Sequence, residues 1–332
     1  MRRPGILPAV VPSEPVATSE AVVLGATGGA GSAVVRELAS RGLRVRAVSR
    51  SGAGPSLPGV TPVKGDATEP ASLRDVCGGA GVVYHCVNVP YPQWTARLIP
   101  IAEAIVAATA AAGAKLVVMD NLYMYGRPDG PMTETTPRKA RGKKGRLRIR
   151  LEHLLLDAHR AGTVRVAIGR ASDFYGPQAN SAATMLVIRP AVSGHRASWV
   201  GSLDAPHTFG YLPDVAWGLV TLADHDEAFG EIWHLPAAEP LTGREFAALV
   251  FETLGAPPRI GLIPKPLMLL GGLFSPMIRE SREVLYQFEY PFVMDAGKFS
   301  HAFGSRITSH RAAVRHTLDA LRQTTPSTAR LS

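Results

Sequence analysis

An α/β fold built on a doubly wound parallel sheet is predicted by three observations. Short β-branched apolar runs alternate with Ala/Leu-rich stretches of helical period through the first half of the chain. Several of those runs are apolar throughout, as strands covered on both faces require. A glycine-rich turn leads from the first run straight into the first helical stretch. The length of 332 residues suits about two domains, and the 46% apolar content suffices for a sizeable core.

The elements follow in order. The predicted first strand is Ala21–Leu24. Val34, Val35 and Leu38 at helical spacing mark a helix over 31–40, stopped by Gly42. Strands are expected over 43–49 and 60–64, with a short helix over 72–77 between the second of these and a strand over 81–87. A long Ala-rich helix over 98–112 ends at Gly113, and a strand follows over 116–119. Leu147, Leu151, Leu154 and Ala158 form the apolar stripe of a helix over 147–159, and a strand over 164–168 comes next. Right-handed crossovers between these strands give the doubly wound sheet. After Gly176 the rhythm weakens, Pro is frequent, and helical pieces (246–253 and 311–321) are scattered.

The implied organisation is a disordered lead-in over 1–19, a nucleotide-binding domain over 20–176, and a tail over 323–332. Residues 177–322 are mainly a smaller substrate-binding lobe, with some segments returning to the sheet. No internal repeat is visible.

Composition excludes several classes. Two cysteines, Cys77 and Cys86, cannot build a disulfide framework or a four-cysteine zinc site, so a reducing, cytoplasmic setting is expected. Ten histidines are scattered without H-E-x-x-H spacing, and no metal is expected. Gly-x-Ser-x-Gly is absent, which removes the α/β-hydrolase nucleophile turn. The net charge of +9 first suggests nucleic acid. Yet eight Lys/Arg lie between Arg138 and Arg150 with no acid among them, and they account for all but one of those charges. The chain is not basic overall, so no nucleic-acid face is expected, and most of that run reads as solvated loop and helix start. The apolar stretch from Pro266 to Met277 is too short to span a bilayer and is broken by Gly271, Gly272 and Pro276. No membrane partner is expected. A homodimer is the one assembly kept open.

The turn Gly25-Ala26-Thr27-Gly28-Gly29-Ala30-Gly31 carries the first functional signal. Gly25 permits a tight turn, Gly28 lets backbone approach a pyrophosphate, and Gly31 lets the helix close on its strand. The helix start then offers free N–H groups and partial positive charge to phosphates. The pattern predicts a Rossmann dinucleotide site. Its nucleotide is read at the end of the second strand, where an acid would bind the ribose 2′-OH of NAD. Ser49-Arg50-Ser51 stands there instead. Arg50 and Ser51 suit a 2′-phosphate, which points to NADP(H).

From Ala21 to about Leu321 the chain resembles the extended short-chain dehydrogenase/reductases, the NAD(P)-dependent epimerase/dehydratase family. The resemblance rests on the Gly25–Gly31 turn, Gly65-Asp66, Val82-Val83-Tyr84-His85, Tyr125-Gly126, Arg170 to Pro177, and His207 with Tyr211 and Asp214. It implies that the cofactor is lined by Gly25, Thr27, Gly28, Gly29, Ala30 and Gly31. Asp66 and Ala67 would lie beside the adenine, and Cys86, Val87 and Asn88 under the nicotinamide ribose. It also implies that Asp173, Tyr175 and His207 line the substrate side.

The usual chemistry of that family needs a Ser or Thr and a Tyr-x-x-x-Lys pair. Aligned on Glu152, Arg148 stands at the lysine position and Lys144 at the tyrosine position, while Asn121 takes the hydroxyl position. No Tyr-x-x-x-Lys occurs anywhere in the chain. The sequence therefore suggests a rewired catalytic set: Tyr123 as proton donor, Asn121 as oxygen binder, Arg148 as ribose and phosphate anchor. Lys144, Arg148 and Glu152 share one helix face, expected to line the cleft, and the two cations should depress the pKa of a neighbouring phenol. The expected activity is an NADP(H)-dependent oxidoreductase or epimerase/dehydratase-like reaction on a carbonyl or hydroxyl of a small molecule. A non-catalytic NADP-binding regulator and a non-redox lyase or cyclase are the alternatives.

Overall fold

The computed structural model describes residues 20–324, so the lead-in expected over 1–19 and residues 325–332 of the tail lie outside it. Strand β1 (Glu20–Leu24) begins the sheet, and α1 (Gly29–Ser40) returns the chain to β2 (Val45–Ser49). β3 (Val60–Lys64), α2 (Pro70–Cys77), β4 (Ala80–His85), α3 (Trp94–Ala111) and β5 (Lys115–Asp120) follow. Helix α4 (Lys143–Arg160) then leads to β6 (Val166–Arg170).

The sheet has seven parallel strands in the order Ile232–His234, β6, β5, β4, β1, β2, β3. The order reverses between β1 and β4, so the open crevice lies at the carboxyl ends of those strands. Apolar side chains of β1, β4, β5 and β6 alternate between the two faces. Val22, Leu24, Val83, Leu116, Val118 and Ile168 bury against α2, α3 and α4. Val23, Tyr84, Val117 and Ala167 bury against α1 and the helix Leu212–Asp224. Burial on both faces is why these strands read as continuous apolar runs.

The helix Leu212–Asp224, the strand Ile232–His234 and the helix Gly297–Phe303 pack on the sheet although they follow Gly176. The remaining lobe has its own aromatic core, centred on Tyr175, Trp199, Phe209, Phe246 and Phe288. Its last helix, His310–Thr324, takes in the first two residues of the expected tail. Several boundaries differ by a few residues from the sequence expectation, and two of them bear on the site. α4 begins at Lys143 rather than Leu147, its first turn held where Lys144 finds Glu280 and Glu283 elsewhere in the fold. β4 ends at His85, where His85 Nδ1 accepts the Val87 N–H at 3.3 Å and turns the chain out of the sheet.

Candidate active site

The glycine turn sits where β1 ends. Gly25 adopts φ +85°, and a Cβ there would fall 2.8 Å from the Cys86 carbonyl oxygen. The turn and the end of β4 are thus in direct contact, and only glycine allows it. A Cβ on Gly31 would strike the Gly25 carbonyl, so that glycine sets the approach of α1 to its strand. Gly28 caps α1 in an extended conformation (φ −75°, ψ 161°) without a side chain, and its added Cβ would meet only Gly25 O, at 3.3 Å. The first turn of α1 carries no acid. Its free N–H groups, with exposed Thr27 beside them, form an electropositive cradle that fits a pyrophosphate.

At the other end of this crevice Arg50 and Ser51 are exposed, with Ser51 Oγ accepting the Ala53 N–H at 3.3 Å. Asp66 Oδ1 accepts both N–H and hydroxyl of Thr68. Those bonds, with Arg50 and Arg97 nearby, hold the carboxyl below its usual range. Arg97 gave no motif signal; α3 brings it to the same corner. Ala67 and Val87 are half-buried along this path, and Asn88 is exposed. Burial pushes the Cys86 thiol up to about 12, so it is a wall rather than a nucleophile.

Beyond β5 the rewired residues separate into two groups. In the first, Asp120 is buried and accepts Arg148 Nη1 and Arg170 Nε, each at 3.0 Å. Arg170 also donates to Glu152 (2.6 Å) and to the Tyr125 hydroxyl (2.9 Å). Glu152 takes Arg138 as well, and Tyr125 bonds His234 Nε2 at 2.8 Å. Arg148 stacks over Trp94 at 4.3 Å, and its buried Nε has no hydrogen-bond partner. The positive charge of Arg148 is therefore already answered, with its Nε donor left over.

Lys144 corrects the sequence expectation. It is 2% exposed and does not line an open cleft. Its ammonium pairs with Glu280 at 2.6 Å and Glu283 at 3.6 Å, and its backbone N–H donates to Glu283 Oε1. A carboxylate at the start of α4 also suits the helix dipole.

In the second group, Tyr123 is buried, with its hydroxyl 2.7 Å from that of Tyr91. Asn121 Oδ1 accepts the Tyr123 N–H at 3.1 Å, which fixes the short helical turn Tyr123–Tyr125 and leaves Asn121 Nδ2 to donate outward. Burial first, then Tyr91 and Asp173, raise the Tyr123 phenol well above its ordinary range. This overturns the expected depression. Arg148 spends its charge on Asp120, and Lys144 spends its own on Glu280. Tyr91 is pushed up to about 12 for the same first reason. The sequence reading missed Tyr91, Asp120, Glu280 and Glu283; each lies far along the chain from its partner.

Asp173 and His207 come together from separate elements. His207 Nε2 is 3.2 Å from Asp173 Oδ2 but out of line for a hydrogen bond, and neither atom has another partner. Ser172 Oγ is likewise buried and unpartnered. The imidazole stacks on Phe288 and bonds the Gln287 carbonyl through Nδ1 at 3.0 Å. Tyr175 is a second correction. It is fully buried in the smaller lobe's core and bonds His310 Nδ1 at 2.9 Å, so it joins elements rather than facing a substrate.

The buried histidines set a pH dependence. Burial, reinforced by Arg148, lowers His85 to about 4; burial and Arg170 lower His234 to about 3. Both are neutral when folded, whereas an unfolded histidine protonates near 6.5. Stability present above pH 6.5 should therefore fall as pH drops toward 4, by about 1.4 kcal/mol per pH unit for each group. Urea midpoints for wild type and His85→Asn, measured across that range, should show a shallower decline in the variant. Parallel declines would refute the assignment.

Residues 21–235, about two thirds of the chain, match the model of the NAD dependent epimerase/dehydratase family, and the chain belongs to that family. It is 28% identical over 246 residues to uncharacterized protein y4nL of Sinorhizobium fredii, covering 70% of this chain and 68% of the relative. Among solved structures it is similar to MoeE5 in complex with UDP-glucuronic acid and NAD (20% identity, TM-score 0.75, 92% of this chain and all of that one). DesIV, the dTDP-glucose 4,6-dehydratase of Streptomyces venezuelae, is 18% identical with TM-score 0.74, over 92% of this chain and 97% of that one. UDP-glucuronic acid 4-epimerase of Bacillus cereus is 16% identical with TM-score 0.73, over 92% and 99%. At these identities the structural likeness establishes the fold.

Proposed function

We propose that this chain is an NADP(H)-dependent oxidoreductase or epimerase/dehydratase-like enzyme. It acts on a carbonyl or hydroxyl of a small molecule through a rewired catalytic set. Family membership and the cradle at the start of α1 support the cofactor class; the solved neighbours named above carry NAD. A bound nicotinamide supplies or accepts the hydride. The protein's own contribution rests on one observation, the Tyr123–Tyr91 hydroxyl pair at 2.7 Å. A phenol held protonated by burial can donate a proton to a substrate oxygen, Tyr91 can pass its own proton to Tyr123, and solvent would reprotonate the half-buried Tyr91. Asn121 Nδ2 would bind the same oxygen. Arg148 Nε would meet the cofactor's ribose or phosphate. Ser172, Asp173 and His207, with their unanswered polar atoms, would meet the substrate.

NADPH oxidation against a panel of carbonyl compounds, nucleotide sugars included, tests this reading, with epimerisation followed in parallel. Turnover supports it. Tight NADPH binding without turnover would favour the regulator instead, a reading encouraged by Glu280 and Glu283 closing on Lys144.

The choice of NADP over NAD rests on Arg50, with Arg97 close by. Arg50→Asp should weaken NADPH binding by roughly 10- to 150-fold, the loss of one charge-assisted phosphate contact, and relatively favour NADH. Fluorescence titration of both nucleotides measures it. A wild-type preference for NADH would reverse the assignment.

A further inference from the structure

The apolar stretch noted in the sequence forms two helices, Lys265–Phe274 and Pro276–Ser281, folded against each other as a hairpin. Gly271 and Gly272 face Ile278 and Arg279 across the hairpin, where a Cβ would stand 3.3 Å and 3.5 Å from them. Ser275 Oγ accepts the Ile278 N–H and Pro276 opens the second helix, so the tip is built rather than loose.

The tip points outward. Leu273 is 73% exposed and Phe274 82%, with Leu267, Leu269, Leu270 and Met277 exposed alongside them. So many large apolar side chains in one place are uncommon on a soluble surface. No acid occurs from Lys265 to Arg279. The next two, Glu280 and Glu283, turn inward to Lys144. What remains outside is cationic: Lys143, Arg279 and Arg282 are exposed and make no ion pair among the described residues. Lys143 and Arg279 both stand beside Glu280, so the cations fringe the hairpin's base.

We infer that this hairpin docks the protein on a bilayer surface bearing anionic headgroups. A projecting apolar tip suits insertion among acyl chains, and a ring of unpaired cations below it suits headgroup phosphates. A ten-residue helix spans about 15 Å, half a hydrocarbon core, so the contact is interfacial and not a crossing. Among the described residues one helix, Tyr91–Ala111, is long and apolar enough to cross, but half of it is buried in the sheet's helix layer. The inference departs at one place from the sequence expectation of no membrane partner, on exposure that periodicity does not show.

The full chain is sedimented with phosphatidylcholine vesicles, and with the same vesicles containing a minority of phosphatidylglycerol. Wild type should pellet with the anionic vesicles and progressively less as salt rises. The double change Leu273→Glu and Phe274→Glu removes two solvent-facing side chains, so thermal stability should hold while partition falls at least roughly tenfold. Arg279→Gln and Arg282→Gln should each lower it about fivefold. Failure of wild type to pellet, or equal pelleting of the Leu273/Phe274 variant, would overturn the inference. So would a dimer in sedimentation velocity that Phe274→Glu splits while vesicles stay unbound, since the occupant would then be a second copy.

Discussion

Tyr123→Phe is expected to cut kcat on a confirmed substrate by about 10²–10⁴ while leaving NADPH affinity nearly unchanged. The change removes one oxygen. The ring keeps its contacts with Trp94 and Tyr91, so the fold should survive. Tyr91 loses its hydroxyl partner, which costs about 1 kcal/mol of stability. A packing role alone would show that small loss in melting temperature with kcat intact, and that result would exclude Tyr123 as the donor.

The direction of the pKa shift sharpens the test. Since burial raises the phenol, its protonated form persists through the alkaline range, and reduction should show no loss from this group up to about pH 10. Tyr91→Phe should lower kcat less, because Tyr91 reaches the substrate only through Tyr123. If both variants keep full activity, the proton comes from elsewhere, and the misaligned Asp173–His207 pair is next in line.

What the sequence made legible was local. The glycine turn shows because strand, turn and helix are contiguous. The parallel sheet shows because two-sided burial leaves no polar alternation in its central strands. Most of the basic run was read well, since Lys139, Arg141, Lys143, Arg146 and Arg150 are exposed. The failures concern charges whose partners are distant. Spacing put Lys144, Arg148 and Glu152 on one face of α4, as the structure does, but it could not say that this face is buried. Their counterions are Asp120 on β5, Arg170 on β6, and Glu280 and Glu283 more than a hundred residues on. A charged helix face beside the sheet's crevice looks like a cleft wall until those partners are placed. Tyr91 went unseen for the same reason: its role depends on a phenol 32 residues away.

Gly28→Val should abolish nucleotide binding, with NADPH fluorescence titration showing an affinity loss of at least roughly 100-fold. Of the three motif glycines, Gly28 gives the cleanest answer. Gly25 needs its positive φ and Gly31 has no room for a Cβ, so changing either would disturb the fold first. Gly28 has an extended backbone that valine accepts readily, and its Cβ would touch nothing but Gly25 O at 3.3 Å. The new side chain would project into the space before the α1 N–H groups. A pyrophosphate must occupy that space to reach them, and valine would hold it several ångströms off, where the helix-terminus interaction fades. Circular dichroism and melting temperature should match wild type to within a few degrees. A folded Gly28→Val protein with unchanged NADPH affinity would mean that the nucleotide, if bound at all, does not lie across the start of α1, and the cofactor assignment would fall with it.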